Sequence, residues 1–273
     1  MLDTKYQKFY DEIVKKIKKE KIFTDKLHTF AYGTDASFYR LIPKIVIKAD
    51  NAKEVQDIIE LSHSMDLSIT FRAGGTSLSG QAISDSILVI TSRNFSNFRI
   101  ASDASSISLQ PALTGAQVNG LLAKYSKKIG PDPASINAAM IGGIAANNAS
   151  GMCCGISQNS YKTLKSIKLI FADGTKLDTG CEESKNAFKK SHGDFLKDLK
   201  RFSDDTKNNE ELRAKIEKKF KIKNTCGYSL NALIDFEDEF EILEHLIIGS
   251  EGTLAFIEEI TYYTVEDLKD KAS

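Results

Sequence analysis

Apolar residues recur along this chain in two rhythms. Tyr6, Phe9, Tyr10, Ile13 and Ile17 fall three and four residues apart, which predicts an amphipathic helix. Asp3 stands where its first turn needs a cap, and lysine and glutamate fill the solvated face. Beyond Gly33, residues 45–48 form a short apolar run that predicts a strand. Asn51 with Glu54 three positions on is a capping-box pattern, and Val55, Ile58, Ile59 and Ser62 share one face of the helix it opens. Residues 68–71 and Ile87–Thr91 predict two more strands. Strand, helix and strand in so short a span make a βαβ unit, which requires a parallel sheet.

Past residue 100 the rhythm changes. Ile107 and Leu109 alternate as a short strand, and Thr114 with Gln117 caps a helix carrying Val118, Leu121, Leu122 and Tyr125. Ile167, Leu169 and Phe171 alternate into Asp173 and Gly174, a hairpin turn signal, and residues 176–179 return as its partner strand. Helices are predicted over 194–202, Glu210–Phe220 and 238–246, and a last strand over 254–264. The expected fold class is therefore α+β, a parallel βαβ part followed by a larger antiparallel part with helices.

Composition narrows the class. The 273 residues are 41% hydrophobic, with 37 basic and 37 acidic side chains, so a folded core is expected and nucleic acid is not the expected partner. Cys153, Cys154, Cys181 and Cys226 have neither disulfide-framework nor zinc spacing, so no metal is expected and the thiols read as reduced. Without a signal-peptide pattern or an apolar run of roughly 20 residues, a cytoplasmic location is the expectation.

Three segments carry candidate chemistry. Gly74, Gly75, Thr76, Ser77, Leu78, Ser79 and Gly80 follow a predicted strand, where open α/β sheets bind ligands. Glycines there let backbone N–H groups converge on an anion such as a pyrophosphate, with hydroxyls adding donors. The spacing is neither G-x-G-x-x-G nor a Walker A loop. A valine at Gly75 is expected to block the approach of a phosphate, and Arg72 is expected either beside the cofactor or in water. The second segment runs from Pro131, Asp132, Pro133 and Ser135 through Gly142, Gly143, Ala146, Asn147, Asn148 and Ala149. Its small residues suit either a tightly packed helix or contact with a flat ligand, and two amides in an apolar run need hydrogen-bond partners. The third, residues 248–254, leads into the last strand with Glu251, Gly252 and Thr253.

R-A-G-G-T-S-L-S-G-Q, G-P-D-P-A-S, I-G-G-I-A-A-N-N-A-S-G and I-G-S-E-G-T-L-A-F, in this order, closely resemble the FAD-binding (PCMH-type) domain of the vanillyl-alcohol oxidase and p-cresol methylhydroxylase superfamily. The likeness is strongest to bacterial FAD-linked D-lactate and D-2-hydroxyacid dehydrogenases, and it spans roughly 32–265. Residues 223–230 also resemble the K-N-T-x-G-Y-x-L stretch of that branch. The resemblance implies an N-terminal helical segment over 1–31 and two subdomains, about 32–100 and 101–265, holding FAD between them. Ala73, Gly74, Gly75, Thr76, Ser77 and Leu78 would hold the pyrophosphate with backbone amides, and Arg72 directly before them is a further candidate cofactor-binding residue. Pro131, Asp132, Pro133, Ser135, Gly142 and Gly143 would line the flavin and ribityl side, with Ala146, Asn147, Asn148 and Ala149 continuing along the cofactor. Glu251, Gly252, Thr253 and Ile257 would close over it.

Two departures carry information. Members that attach FAD through histidine carry it just after the glycine pair, where this chain has Thr76, so non-covalent FAD is expected. The substrate-binding cap domain of the family is expected to begin at 266–273, and the catalytic residue is unassigned, because none of His28, His63, His192 and His245 falls in a flavin motif. The implied activity is oxidation of a small D-2-hydroxy acid by hydride transfer to flavin N5, with substrate bound through that cap. An iron–sulfur electron acceptor and peripheral membrane association of the full enzyme are further implications. A non-catalytic flavin-carrying electron-transfer subunit, another oxidase of the superfamily and a flavin-free nucleotide module are the alternatives.

Overall fold

A computed structural model of the chain describes residues 2–152 and 154–268. Cys153 and the 269–273 end of the charged tail lie outside the described residues.

Asp3 accepts the Lys5 amide hydrogen and opens α1 (Thr4–Ile13). There follow β1 (Ile22–Phe23), α2 (Lys26–Ala31), β2 (Ile45–Ala49), α3 (Ala52–Ser64), β3 (Ile69–Arg72) and β4 (Ile87–Thr91). These strands form a sheet in the order β1-β2-β4-β3, in which β2 and β3 both run parallel to β4. The expected βαβ unit is present, with β4 seated between the two strands that α3 connects. Asn51 caps α3 through the Glu54 amide, while the Glu54 carboxylate turns back to the amide of Asp50 instead of Asn51. Segment 1–31 does not stand apart from this lobe, contrary to expectation. Phe9, Ile13 and Ile17 pack with Ile47, Val55 and Ile58 in one core, and β1 pairs with β2, because the apolar stripe of α1 must cover some other apolar surface.

The second lobe runs through β5 (Phe98–Ile100), β6 (Ser106–Leu109), α4 (Gly115–Leu122), β7 (Lys127–Ile129), α5 (Ile141–Asn147), α6 (Ser160–Thr163), β8 (Leu164–Ile170), β9 (Lys176–Asp178), α7 (Glu182–Asn208), α8 (Glu210–Phe220), α9 (Ala232–Asp235), α10 (Glu239–Ile247) and β10 (Phe256–Glu266). Its sheet has the order β5-β6-β10-β8-β9, with β7 also on β10, and every pairing is antiparallel. Because β5 belongs here, the lobes divide between Thr91 and Phe98, slightly before the expected position. The Thr114–Gln117 capping box closes reciprocally, and Gly174 turns the β8–β9 hairpin at φ +84°.

Helix α7 is far longer than the expected 194–202. Residues 182–191 offer few apolar positions, so their periodicity is faint, and the helix bends at His192 beside Ser191 and Gly193. There His192 stacks on Phe188 with ring centroids 4.4 Å apart and meets the Asp173 carboxylate at 3.0 Å. Among the described residues no helix is long and apolar enough to cross a membrane.

Strand β10 joins the two lobes. Phe256 belongs to the core of the first, while Ile257, Ile260 and Tyr262 belong to that of the second. Strict alternation cannot turn Ile257 and Ile260 to the same side. A register shift against β8 between Ile257 and Glu259 inserts the extra residue that does so.

Candidate cofactor groove

The lobes enclose a groove of about 380 Å³, within the roughly 300–1,000 Å³ usual for small-molecule sites. One wall is the loop leaving β3, with Arg72, Ala73, Gly74, Gly75, Thr76, Ser77 and Leu78. The facing wall is built from Ser135, Gly142, Gly143, Ala146, Asn147 and Ala149, and Glu251, Gly252 and Ile257 close one end. All three expected segments therefore meet, although they lie far apart in the chain.

The glycines act differently from the sequence expectation. A Cβ at Gly74 would come within 2.5 Å of the Ala138 carbonyl oxygen, and one at Gly75, at φ +65°, would come within 2.5 Å of the Arg72 guanidinium. Their missing side chains let the loop settle onto protein, which leaves other backbone surface free for a ligand. Arg72 is likewise not in water. Its Nη1 donates to the Thr34 carbonyl at 2.6 Å and to that of Tyr32 at 3.4 Å, tying the 32–34 turn beneath the loop. Burial pushes its pKa below the ordinary arginine value, with Asp35 and Tyr32 opposing. At Gly142 a Cβ would meet Pro111 at 2.7 Å, so this glycine seats α5, whereas at Gly143 the nearest atom is the Ala73 Cβ at 3.5 Å.

Several expected residues are off the groove wall. Pro131, Asp132 and Pro133 pack behind it, where the Asp132 carbonyl would lie 1.6 Å from a Cβ on Gly151. Asn148 is the left-handed C-cap of α5 at φ +51°, and its Oδ1 accepts the Tyr161 amide at 3.3 Å, so its amide serves the fold. Thr253 donates to the Ser250 carbonyl at 2.6 Å and sits on a separate cavity behind Phe256. The small-residue segment is a helix over Ile141–Asn147 and a groove wall at once, so its two readings are compatible.

The groove also contains residues that the sequence reading did not select: Phe71, Gln81, Ala82, Thr91, Pro111, Met140, Thr225 and Phe256 among them. Gln81 and Thr225 stood inside motifs already quoted. Phe71 and Pro111 gave no signal, because only the approach of the lobes brings them to the wall.

Among the described residues two ionisable side chains line it, Arg72 and Glu251, and no histidine does. Glu251 sits at φ +56°, and its Oε1 accepts from Asn147 Nδ2 at 2.5 Å and from Gln81 Nε2 at 3.3 Å. Ser77 in turn donates to the side-chain Oε1 of Gln81. Burial raises the Glu251 pKa, and these two amide contacts hold it back only in part.

Comparison with known proteins places this geometry. The family profile described as "FAD binding domain" matches residues 43–180. The D-2-hydroxyglutarate dehydrogenase of Haemophilus influenzae is 26% identical over 245 residues, covering 86% of this chain and 24% of that protein. The D-lactate dehydrogenase of Archaeoglobus fulgidus is 23% identical over 231 residues, covering 83% of this chain and 40% of its own length. The chain thus spans about a quarter to two fifths of these relatives. Among solved structures, an alkyldihydroxyacetonephosphate synthase superposes with a TM-score of 0.65 at 16% identity, covering 97% of this chain and 42% of that one. The inter-lobe groove, with its exposed loop backbone, small-residue helix and polar end, suits an extended dinucleotide. With that groove and the match over residues 43–180, this chain belongs to the FAD-binding domain family, of PCMH type.

Proposed function

We propose that the chain is the flavin-holding part of a dehydrogenase that oxidises a D-2-hydroxy acid of the D-2-hydroxyglutarate or D-lactate kind. The observation that carries this reading is the composition of the groove. Its wall presents loop backbone, hydroxyls and amides that would suit FAD, and among the described residues it offers no histidine to take a proton from a hydroxyl. When bound, FAD supplies the acceptor for hydride from the α-carbon. The residues of this chain would do the holding: Ala73 to Leu78 along the phosphates, α5 and Ser135 along the ring side, and Glu251 to Ile257 across the end.

The proton acceptor for the hydroxyl and the pocket for the carboxylate would come from a further domain or a partner, and an iron–sulfur protein is the proposed electron acceptor. This fits a chain that spans 24% and 40% of the two dehydrogenases it resembles. The same fact favours a second reading, a flavin-carrying electron-transfer subunit that selects no substrate.

An anaerobic titration tests both. FAD-loaded protein, with the rest of its enzyme present, should lose its oxidised-flavin absorbance on addition of D-2-hydroxyglutarate or D-lactate, and not with the L-enantiomers. Bleaching by neither D-acid but by a reduced partner protein would select the carrier reading.

A further inference from the structure

Glu251 stands apart from every other group on the groove wall. Among the described residues it is the only acidic side chain there, and its two hydrogen bonds go to different lobes: Gln81 on the connection between β3 and β4, and Asn147 at the end of α5. Its own amide donates to the Ala146 carbonyl at 2.8 Å, so its backbone is fixed to α5 while its side chain reaches the glycine loop. Gln81 is held in turn by Ser77, itself in the loop. The chain Ser77–Gln81–Glu251–Asn147 thus spans the groove from wall to wall. Among the described residues no charged side chain faces the carboxyl from the loop, from α5 or from the segment leading into β10, and the one cation lining the groove, Arg72, is turned to the carbonyls of Thr34 and Tyr32.

An acid in that position must respond to an anionic guest. Filling the groove with a dinucleotide removes water from the carboxyl and brings phosphate charge into the same enclosure, and both favour its neutral form. A protonated carboxyl keeps one oxygen to accept from both amides and gains an O–H to donate. We propose that Glu251 is a protonatable clasp: it sets the width of the groove through Gln81 and Asn147, and it takes up one proton from solvent when FAD binds. The proposal rests on the flavin reading and makes Glu251 a positioning residue for the cofactor.

The test is FAD affinity, followed by quenching of flavin fluorescence as the pH is raised from mildly acidic to mildly alkaline, together with proton uptake measured calorimetrically in two buffers of different ionisation enthalpy. For the wild type, Kd should rise toward about tenfold per pH unit once pH exceeds the value at which free protein loses the Glu251 proton, with up to one proton taken up per flavin. Glu251→Gln should keep the clasp and bind FAD with neither pH slope nor proton uptake. Gln81→Ala should keep the proton uptake and release FAD faster, because only one lobe is then tied. An unchanged slope in Glu251→Gln, or no proton uptake by the wild type, overturns the proposal and leaves the flavin reading intact. Failure of the wild type to bind FAD overturns both.

Discussion

Glu244 and His245 are neighbours on α10 that the fold pushes in opposite directions. Burial drives Glu244 up to about 7, opposed by Thr179 and Lys185, and it drives His245 down to about 4 while the ring stacks on Phe236. For Glu244 the folded value lies above the unfolded one, so its contribution is complete at low pH and is lost as pH rises from about 4.5 to about 7. For His245 the folded value lies below the unfolded one, so its contribution is complete above about 6.5 and is lost as pH falls toward 4. Each shift corresponds to about 3 kcal/mol, and between pH 4.5 and 6.5 the two slopes nearly cancel. Glu244→Gln should therefore match the wild type near pH 4 and exceed its stability by about 3 kcal/mol above pH 7. Urea unfolding at the two pH values measures the difference, and a pH-independent gap between the proteins would contradict it. None of this was visible along the chain, because a glutamate and a histidine on a helix read as surface residues until packing covers them.

Among the elements, β10 carries the most. It pairs with β6, β7 and β8, and its first residue places an aromatic ring against Phe71 at 4.8 Å and Phe95 at 6.0 Å. Phe256→Ala would empty the seam beside the groove, at a cost of about 3–5 kcal/mol. Chemical denaturation should show that loss, and FAD release should quicken, since Phe71 and Phe256 also line the groove. A loss under 1 kcal/mol would mean that the seam closes without the ring. The strand itself was legible from alternation to within two residues. Its bulge was not, because alternation is a property of one strand and a register shift is a property of two. The same limit explains α7: where apolar residues are sparse, a helix is held by packing and ion pairs that periodicity does not report.

Across the whole molecule, the two lobes shape one groove between them. Thr76 stands where a histidine attachment point would be, and the Cys154 thiol is buried, aimed at the carbonyls of Gly151 and Gly155. Acid precipitation of the flavin-loaded protein should accordingly leave all of the yellow colour in the supernatant, whereas colour retained in the pellet would reveal a covalent bond. The fold class and the parallel-then-antiparallel division were readable from caps, turns and periodicity, which depend on neighbours within a few residues, whereas the three segments stood out by their glycines and small residues and were joined around one cofactor only by the family resemblance. Folding decided the rest: that the bare faces of Gly74 and Gly75 meet Ala138 and Arg72, that Asn148 caps a helix while Asn147 lines the groove, and that Glu251 meets an amide 170 positions away. Local sequence sets backbone conformation and which side of an element is apolar, but the partner of a buried polar group is chosen only when two cores, joined through β10, close on one another.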